Sequence, residues 1–197
     1  MRSTKKTNMQ FSSKLIEEAV EAFSSLPGIG RKTALRLVLY MVQQPGETVD
    51  AFANALTKMR SGIQECEQCH NLSDDKLCTV CKDDRRNPQL VCVVENLRDV
   101  MAIEETGQYR GLHNVMGDVI YPIEGVGTTE LNIDSLVGRI DERGIKEVIM
   151  AISPTIEGDT TIFYITKQLA AFDVKVSTIA RGVSFGGELE YADGLTL

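Results

Sequence analysis

Apolar residues recur every three or four positions over most of the N-terminal third of the chain. After Ser12 and Ser13, this spacing predicts an amphipathic helix that ends near Ser24. A second helix is predicted to end near Met41, and a third is predicted to follow Asp50 as its N-cap. The apolar positions of the first helix are Leu15, Ile16, Ala19, Val20 and Phe23, and those of the third are Phe52, Ala55, Leu56 and Met59.

The second half of the chain changes to short apolar runs that are separated by helical patterns. Three of these runs, at 90–94, 147–152 and 174–179, predict buried strands. A helical pattern follows the first run through Leu97, Val100 and Ile103, and another follows the second run to about Phe172. Since strands that alternate with helices form largely parallel sheets, we expect functional groups at the ends of these strands.

Two Cys-x-x-Cys pairs stand between these halves. Cys66 and Cys69 form the first pair, and Cys78 and Cys81 form the second after eight intervening residues. Zinc binds four sulfurs tetrahedrally at about 2.3 Å, and two such pairs on one short loop supply that geometry. We therefore predict a structural zinc site that leaves no open position for water and has no Lewis-acid role.

Three other uses of these cysteines are less consistent with the sequence. Two disulfides would need an oxidising compartment, and Cys92 would be left over. Haem attachment through the pattern Cys-x-x-Cys-His, or a thioredoxin-like redox pair, would leave the second pair idle. His70, which completes the haem pattern, is expected to be an exposed loop residue, and Cys92 is expected to be an inert core thiol on the first strand.

A hairpin with two glycines joins the first two predicted helices. Without a Cβ at Gly28 and Gly30, the backbone can approach a phosphodiester closely, and the N–H groups that open the next helix point at its oxygens. Cationic contacts to the same phosphate would come from Arg31, Lys32 and Arg36, and such contacts ignore base identity. The alternative is a plain connector between two helices, which the same glycines would also serve.

Composition limits the class of protein. A chain of 197 residues with 43% apolar content suffices for one medium domain or two small ones. No run approaches the roughly 18–20 apolar residues of a membrane span. Polar residues follow the basic start of the chain where a secretory signal would be apolar, so a soluble cytoplasmic protein with a basic tail is expected.

Charge is spread unevenly along the chain. Residues 1–46 carry seven Lys or Arg against three Glu, a net charge of +4, so residues 47–197 carry −11 of the total of −7. A basic end on an acidic body suggests a local phosphate-binding face and a separate acidic surface for a protein partner or a divalent metal. Ordinary solubility charge is the alternative, and composition does not separate the two.

The hairpin sequence Leu-Pro-Gly-Ile-Gly-x-Lys-x-Ala, followed by the cysteine pairs, resembles the RecR family of bacterial recombination mediators, and the likeness runs from Ser12 to Leu197. The resemblance implies an α/β fold with a helix-hairpin-helix region at 1–64 and a zinc finger at 65–82. A Toprim domain at 89–185, a mostly parallel sheet flanked by helices, and a C-terminal segment at 186–197 would follow. Members of the family usually continue past the position of Leu197 into a short final helix, which is a departure in this chain.

The resemblance to Toprim domains also bears on catalysis. Catalytic Toprim enzymes bind magnesium with a Glu after the first strand, which Glu95 matches, and with an Asp-x-Asp pair, where this chain has Ser153 and Thr155. Glu157 and Asp159 remain downstream, and with Glu95 they would form an acidic cluster for at most a weak magnesium site. We therefore expect a protein that is not an enzyme; the alternative is a metal-dependent Toprim nuclease or topoisomerase-like enzyme.

The resemblance further implies partners. A protein of this family would bind single- and double-stranded DNA without sequence preference, and would act with RecO and RecF to help load RecA at single-stranded gaps. It would assemble as a homodimer or homotetramer around DNA, and no membrane is involved. His113, in a polar segment after Gly111 and Leu112, is expected to be a surface or hydrogen-bonded residue with no functional role.

Overall fold

The computed structural model describes residues 13–180 and 182. The chain divides into two compact units, Met1–Ser61 and Gly62–Leu197. The basic start of the chain and the expected C-terminal segment 186–197 lie outside the described residues. Among the described residues, every helix is too short or too polar to span a bilayer.

The first unit is helical, with α1 at Lys14–Ser24, α2 at Arg31–Val42 and α3 at Gly46–Gly62. Helices α1 and α2 pack on each other around a small core of Val20, Ala34 and Val38. Both helices end within one residue of the predicted positions, because the apolar spacing of their packed faces marks their extent.

The prediction that Asp50 is the N-cap of the third helix is wrong. Helix α3 begins at Gly46, so Asp50 lies one turn inside it. The backbone N–H groups of Thr48 and Val49 both donate to the carbonyl oxygen of Pro45, which opens the helix. Proline at a helix start has its φ already set for the turn, and Glu47 adds favourable negative charge to the first turn.

The second unit opens with a small module and continues into a four-stranded sheet. The module has a two-stranded antiparallel ribbon of β1 (Gln64–Glu65) and β2 (Leu72–Ser73) and a one-turn helix α4 (Thr79–Lys82). The sheet strands are β3 (Leu90–Val94), β4 (Leu112–Val115), β5 (Glu147–Ala151) and β6 (Lys175–Thr178), in the order β4-β3-β5-β6 and all parallel.

Three helices cover the two faces of this sheet. They are α5 (Leu97–Glu105), α6 (Ile133–Arg143) and α7 (Ile156–Leu169). Alternate residues of β3 serve the two faces: Val91 and Val93 pack with residues of α6 and α7, while Cys92 and Val94 pack with Val100 of α5. The chain is thus an α/β protein whose mostly parallel sheet is flanked by helices, as the resemblance implies.

Within the four-stranded sheet and the helices that cover it, one strand and one helix were not predicted from the apolar pattern. Strand β4 lies at the edge of the sheet, and its four residues are all buried, including His113 and Asn114. His113 was expected to be a surface or hydrogen-bonded residue, and it is hydrogen-bonded but buried. Helix α6 was missed altogether, although it ends at a left-handed glycine, Gly144, as many helices do.

Candidate zinc centre and nucleic-acid interface

The four cysteines of the two Cys-x-x-Cys pairs converge on one point. The Sγ atoms of Cys66, Cys69, Cys78 and Cys81 all lie within 4.8 Å of one another, and those of Cys69 and Cys78 are 3.5 Å apart. Three of the four side chains are buried, and Cys81 is half-buried. In a tetrahedral site with each sulfur about 2.3 Å from zinc, neighbouring sulfurs lie slightly more than 3.5 Å apart. The separations of these four sulfurs are close to that geometry, so the donor set fits one structural zinc ion.

Local backbone hydrogen bonds bring the sulfurs together. In the first pair, His70 N donates to Cys66 O at 3.0 Å, which closes a tight turn. This turn places His70 in the left-handed region, with a φ of 61°. Backbone N–H groups also point at sulfur, from Cys78 to Cys66 Sγ at 3.3 Å and from Cys81 to Cys78 Sγ at 3.4 Å. Such donors favour the thiolate form, which is the form that binds metal.

The four adjacent thiols influence one another's ionisation. The hydrogen bond between Cys69 and Cys78 lowers the pKa of Cys78 and raises the pKa of Cys69. The pKa of Cys81 is also raised, first by its contact with Cys69 and then by Cys78 and burial. Four adjacent thiols, three of them buried, cannot all lose their protons unless positive charge balances them, and a bound dication supplies that charge.

The zinc finger is tied to the edge of the sheet. The carbonyl oxygen of Cys69 accepts a hydrogen bond from Val115 N of β4 at 2.8 Å. His70 Nε2 hydrogen-bonds Ser135 Oγ of α6 at 2.7 Å. His70 was expected to be an exposed loop residue, and this is wrong, because its side chain is only 20% exposed. The cysteine loop and the Toprim sheet therefore form one packed unit.

The hairpin of the first unit has the backbone geometry that its glycines predict. Gly28 lies in the left-handed region with a φ of 79°, which side chains rarely adopt, and Gly30 is the extended N-cap of α2. As a glycine, the N-cap Gly30 offers no side-chain acceptor to the first turn of α2. Lys32 and Arg36 lie one turn apart and are exposed, while Arg31 Nη2 lies 4.0 Å from Glu17 Oε1.

The acidic residues of the Toprim domain lie at the carboxyl ends of its central strands. Glu95 follows β3, and its Oε1 accepts a hydrogen bond of 2.6 Å from the backbone N–H of Ser153, just after β5. Glu157 and Asp159 lie in the first turn of α7. Within the described part of the chain, only the four cysteines bring three or more His, Cys, Asp or Glu side chains close enough to share one ion. Glu95, Glu157 and Asp159 do not form such a group.

The hydroxyl of Thr155, at one of the two positions where catalytic relatives of the fold carry aspartate, caps a helix. Thr155 is the N-cap of α7, and its Oγ1 accepts from Gly158 N at 3.0 Å. Gly158 is buried, and the carbonyl oxygen of Ser153 occupies the space that a Cβ at this position would need. Thr155 and Gly158 thus fix the loop between β5 and the start of α7.

Replacing Gly158 with Ala should destabilise the protein by about 1–3 kcal/mol, because the added Cβ would overlap the Ser153 carbonyl oxygen and force the backbone apart. The measurement is the midpoint of thermal or urea unfolding. Gly138→Ala in α6 is the control, since nothing lies within 4 Å of its added Cβ, and helix propensity favours Ala there by up to about 1 kcal/mol. Equal stability of the two variants would contradict the tight loop.

A buried polar network under α5 was missed by the sequence reasoning. His113 Nε2 lies 2.7 Å from Glu104 Oε1, and Arg86 binds both oxygens of the same carboxylate. Arg86 lowers the pKa of Glu104, and burial lowers the pKa of His113. Burial therefore disfavours the charged form of this imidazole, and the network links β4 to α5 through Glu104. The burial expected of Cys92, on the neighbouring strand, is confirmed, and burial raises its pKa to about 12.

Comparison with known proteins gives a consistent pattern along the chain. Residues 16–60 match the family model for the helix-hairpin-helix of RecR, and residues 63–83 match the model for the four-cysteine zinc finger domain of RecR. Residues 89–180 match the Toprim domain model, and residues 182–197 match the model for the C-terminal part of RecR. The four matches follow one another in the order in which the motifs occur.

Three relatives that align with nearly the whole chain are all named recombination protein RecR. Recombination protein RecR of Flavobacterium johnsoniae is 57% identical over 96% of this chain and 92% of its own length. The proteins of the same name from Bacteroides thetaiotaomicron and Porphyromonas gingivalis are 55% and 53% identical, over 96% and 95% of this chain and 93% and 91% of their own lengths. With a helix-hairpin-helix region, a four-cysteine zinc finger and a Toprim domain in this order, the chain belongs to the RecR family of recombination proteins.

Proposed function

We propose that this protein is a DNA-binding recombination mediator, which acts with RecO and RecF to help load RecA at single-stranded gaps. The observation that carries the proposal is the glycine hairpin, with a glycine N-cap and the exposed cations Lys32 and Arg36, in a chain that is 57% identical to a recombination protein. It would act on DNA in the cytoplasm.

The hairpin supports contact with phosphate and not with bases. The N-cap Gly30 has no side chain to satisfy the first N–H groups of α2, so a phosphate oxygen is a suitable acceptor. Lys32 and Arg36 lie one turn apart on α2, so both side chains would contact the same stretch of the DNA phosphate backbone. Binding of this kind is independent of sequence and weakens steeply with salt.

A single hairpin offers few such contacts, which favours assembly. In a homodimer or homotetramer, hairpins from several subunits would engage one DNA molecule, and the effective concentration of the second and later contacts would raise the overall affinity. The acidic remainder of the chain would repel DNA and is suited to protein partners, among which we place RecO and RecF.

A magnesium ion would bind weakly at the carboxyl ends of β3 and β5 if DNA phosphates complete its coordination shell. Glu95, Glu157 and Asp159 offer carboxylate oxygens, and magnesium is usually held by one or two carboxylates with water and phosphate. One oxygen of Glu95 already accepts the N–H of Ser153, so this carboxylate also serves the loop after β5. Such an ion would assist DNA contact and would not drive turnover.

The protein is expected to be catalytically silent on DNA. Phosphoryl transfer needs metal ions held by carboxylates to stabilise charge on the attacking and leaving oxygens. Ser153 and Thr155 replace the paired aspartates of catalytic Toprim domains, and the Thr155 hydroxyl is engaged as a helix cap. Incubation with supercoiled, nicked and single-stranded DNA and magnesium or manganese should therefore leave all three unchanged.

The Glu95→Gln variant is the control for this experiment. Cleavage or relaxation by the unmodified protein that disappears in Glu95→Gln would overturn the mediator and favour the alternative, a metal-dependent Toprim nuclease or topoisomerase-like enzyme. Inactivity of both proteins agrees with the mediator. A contaminating nuclease would act equally in both preparations, so the variant separates it from an activity of this chain.

A further inference from the structure

Helix α6 buries a guanidinium beside the zinc finger. Arg139 is 5% exposed, and its Nη1 donates to His113 O and Asn114 Oδ1 of β4, both at 2.9 Å. Its Nε and Nη2 are also buried, but they have no hydrogen-bond partner among the described residues. Half of this guanidinium is therefore anchored to the sheet edge, and the other half is unsatisfied.

Arg139 also lacks a carboxylate partner. Within the described residues, no Asp or Glu oxygen lies within 4.0 Å of its guanidinium nitrogens, although Arg86, the other largely buried arginine, is paired with Glu104. A buried cation without a counter-charge is strongly unfavourable, and burial lowers the pKa of Arg139. Leu136 and Ile140, which flank Arg139 on α6, belong to the same buried cluster as Cys66, Cys69 and Cys78. The cysteine site is therefore the group beside this helix that would carry negative charge once zinc is bound.

A dication bound by four thiolates leaves two net negative charges in a largely buried site. We propose that Arg139 is the counter-ion of this zinc–thiolate centre, and that it couples zinc binding to the β4 edge of the Toprim sheet. One end of its guanidinium holds two groups of β4, and its other N–H groups interact electrostatically with the zinc-bound sulfurs. Arg139 thereby acts as a positioning residue, since it does not bind the metal itself.

Neighbouring contacts support this coupling. Ser135, one turn before Arg139 on α6, hydrogen-bonds His70 of the zinc finger at 2.7 Å. Val115 of β4 donates to the carbonyl oxygen of Cys69 at 2.8 Å. The same helix and the same strand thus contact the first cysteine pair, and Arg139 lies where the helix, the strand and the zinc finger meet. Loss of zinc should therefore loosen the edge of the sheet as well as the finger.

An external anion is the competing partner for the unsatisfied donors. Gln68, Arg139 and Arg143 line a cavity of about 400 Å³ between the zinc finger and α6, and Gln68 Nε2 is also without a partner among the described residues. Glu67 and Glu142 line the same cavity, however, and their negative charge disfavours a bound phosphate or carboxylate. The zinc–thiolate centre is the better match, because it is negative and already built into the fold.

Zinc affinity of Arg139 variants tests the proposal. In competition with a chromophoric chelator, Arg139→Met should bind zinc about 10–100-fold more weakly than the unmodified protein, which is the usual effect of losing a partner just outside the ligand shell. Arg139→Lys keeps the charge and should recover most of the affinity. Arg143→Met removes one exposed charge from the same helix and should change the affinity by less than about threefold.

Thermal unfolding with and without zinc separates a counter-ion from a purely structural side chain. Arg139→Met should lower the midpoint of the zinc-loaded protein by more than that of the metal-free protein, because only the former carries the negative centre. Equal losses in both forms, or Arg139→Lys behaving like Arg139→Met in zinc affinity, would overturn the proposal. So would stabilisation of the zinc-loaded protein by inorganic phosphate that disappears in Arg139→Met, since it would assign the free donors to an external anion.

Discussion

Replacing Cys69 or Cys78 with Ser should abolish stoichiometric zinc binding and lower the melting temperature by roughly 10 °C or more. Structural zinc contributes about 10–16 kcal/mol of apparent binding free energy in isolated zinc fingers, and much of this is folding free energy. In a larger domain, a loss of only about 3 kcal/mol already shifts the midpoint by this amount. The Cys69 carbonyl also holds Val115 of β4, so disorder in the finger should reach the sheet edge.

The measurement is elemental analysis combined with thermal unfolding of protein that has been purified without chelator. Cys92→Ala is the matched control, because this thiol is buried on β3 and does not belong to the four-cysteine group. The control should retain one zinc ion per chain even though its core packing is weakened. Unmodified protein without stoichiometric zinc would contradict the proposed metal site.

Replacing both Lys32 and Arg36 with Glu should weaken DNA binding by about 100-fold at moderate salt, to a similar extent on unrelated sequences. If each cation neutralises one phosphate of duplex DNA, the slope of log affinity against log salt should also become shallower by about 2. Folding should not suffer, because both side chains are exposed and negative charge near the start of α2 favours the helix.

The matched control for this variant is the pair Lys58→Glu and Arg60→Glu on α3. It makes the same change in net charge within the same unit, at two exposed positions on a helix that does not adjoin the hairpin in sequence. A smaller loss of affinity in the control would show that position matters beyond overall charge. An unchanged affinity and salt slope in the Lys32 and Arg36 variant would place the DNA site elsewhere.

Regular apolar patterns predicted the parts of the fold that bury one clear face. Helices α1 and α2 and strands β3 and β5 fall where the spacing indicates, because each presents a continuous apolar stripe or run to its core. Strand β4 was missed because His113 and Asn114 break its apolar run. Their partners, Glu104 and Arg139, lie on the helices α5 and α6, nine and 25 residues away, so the pattern of the strand itself could not show that these polar groups are satisfied.

Helix α6 could have been recognised. Ile133, Leu136 and Ile140 follow helical spacing and are buried, and Gly144 provides the left-handed stop. The start of α3 was a harder problem, since Asp50 is a good N-cap type and the competing signal was the single residue Pro45. Local preference allows a helix to start at either position, and the fold uses the earlier one.

The candidate sites divide in the same way. The cysteine cluster was predictable because metal-ligand spacing on one loop is a local feature. The interaction of Glu95 with Ser153, the close approach at Gly158 and the unsatisfied guanidinium of Arg139 depend on segments that meet only in the folded chain. No pattern within a single segment of the sequence predicts such contacts.

The most direct test of the mediator function is a RecA-loading experiment on gapped DNA coated with single-strand-binding protein. RecA, which hydrolyses ATP once it has assembled on DNA, is added with the cognate RecO, with or without this protein, and the lag before ATP hydrolysis is measured. The unmodified protein should shorten the lag, and the Lys32→Glu and Arg36→Glu double variant should not. A lag that is the same with and without the unmodified protein would contradict a role in loading RecA.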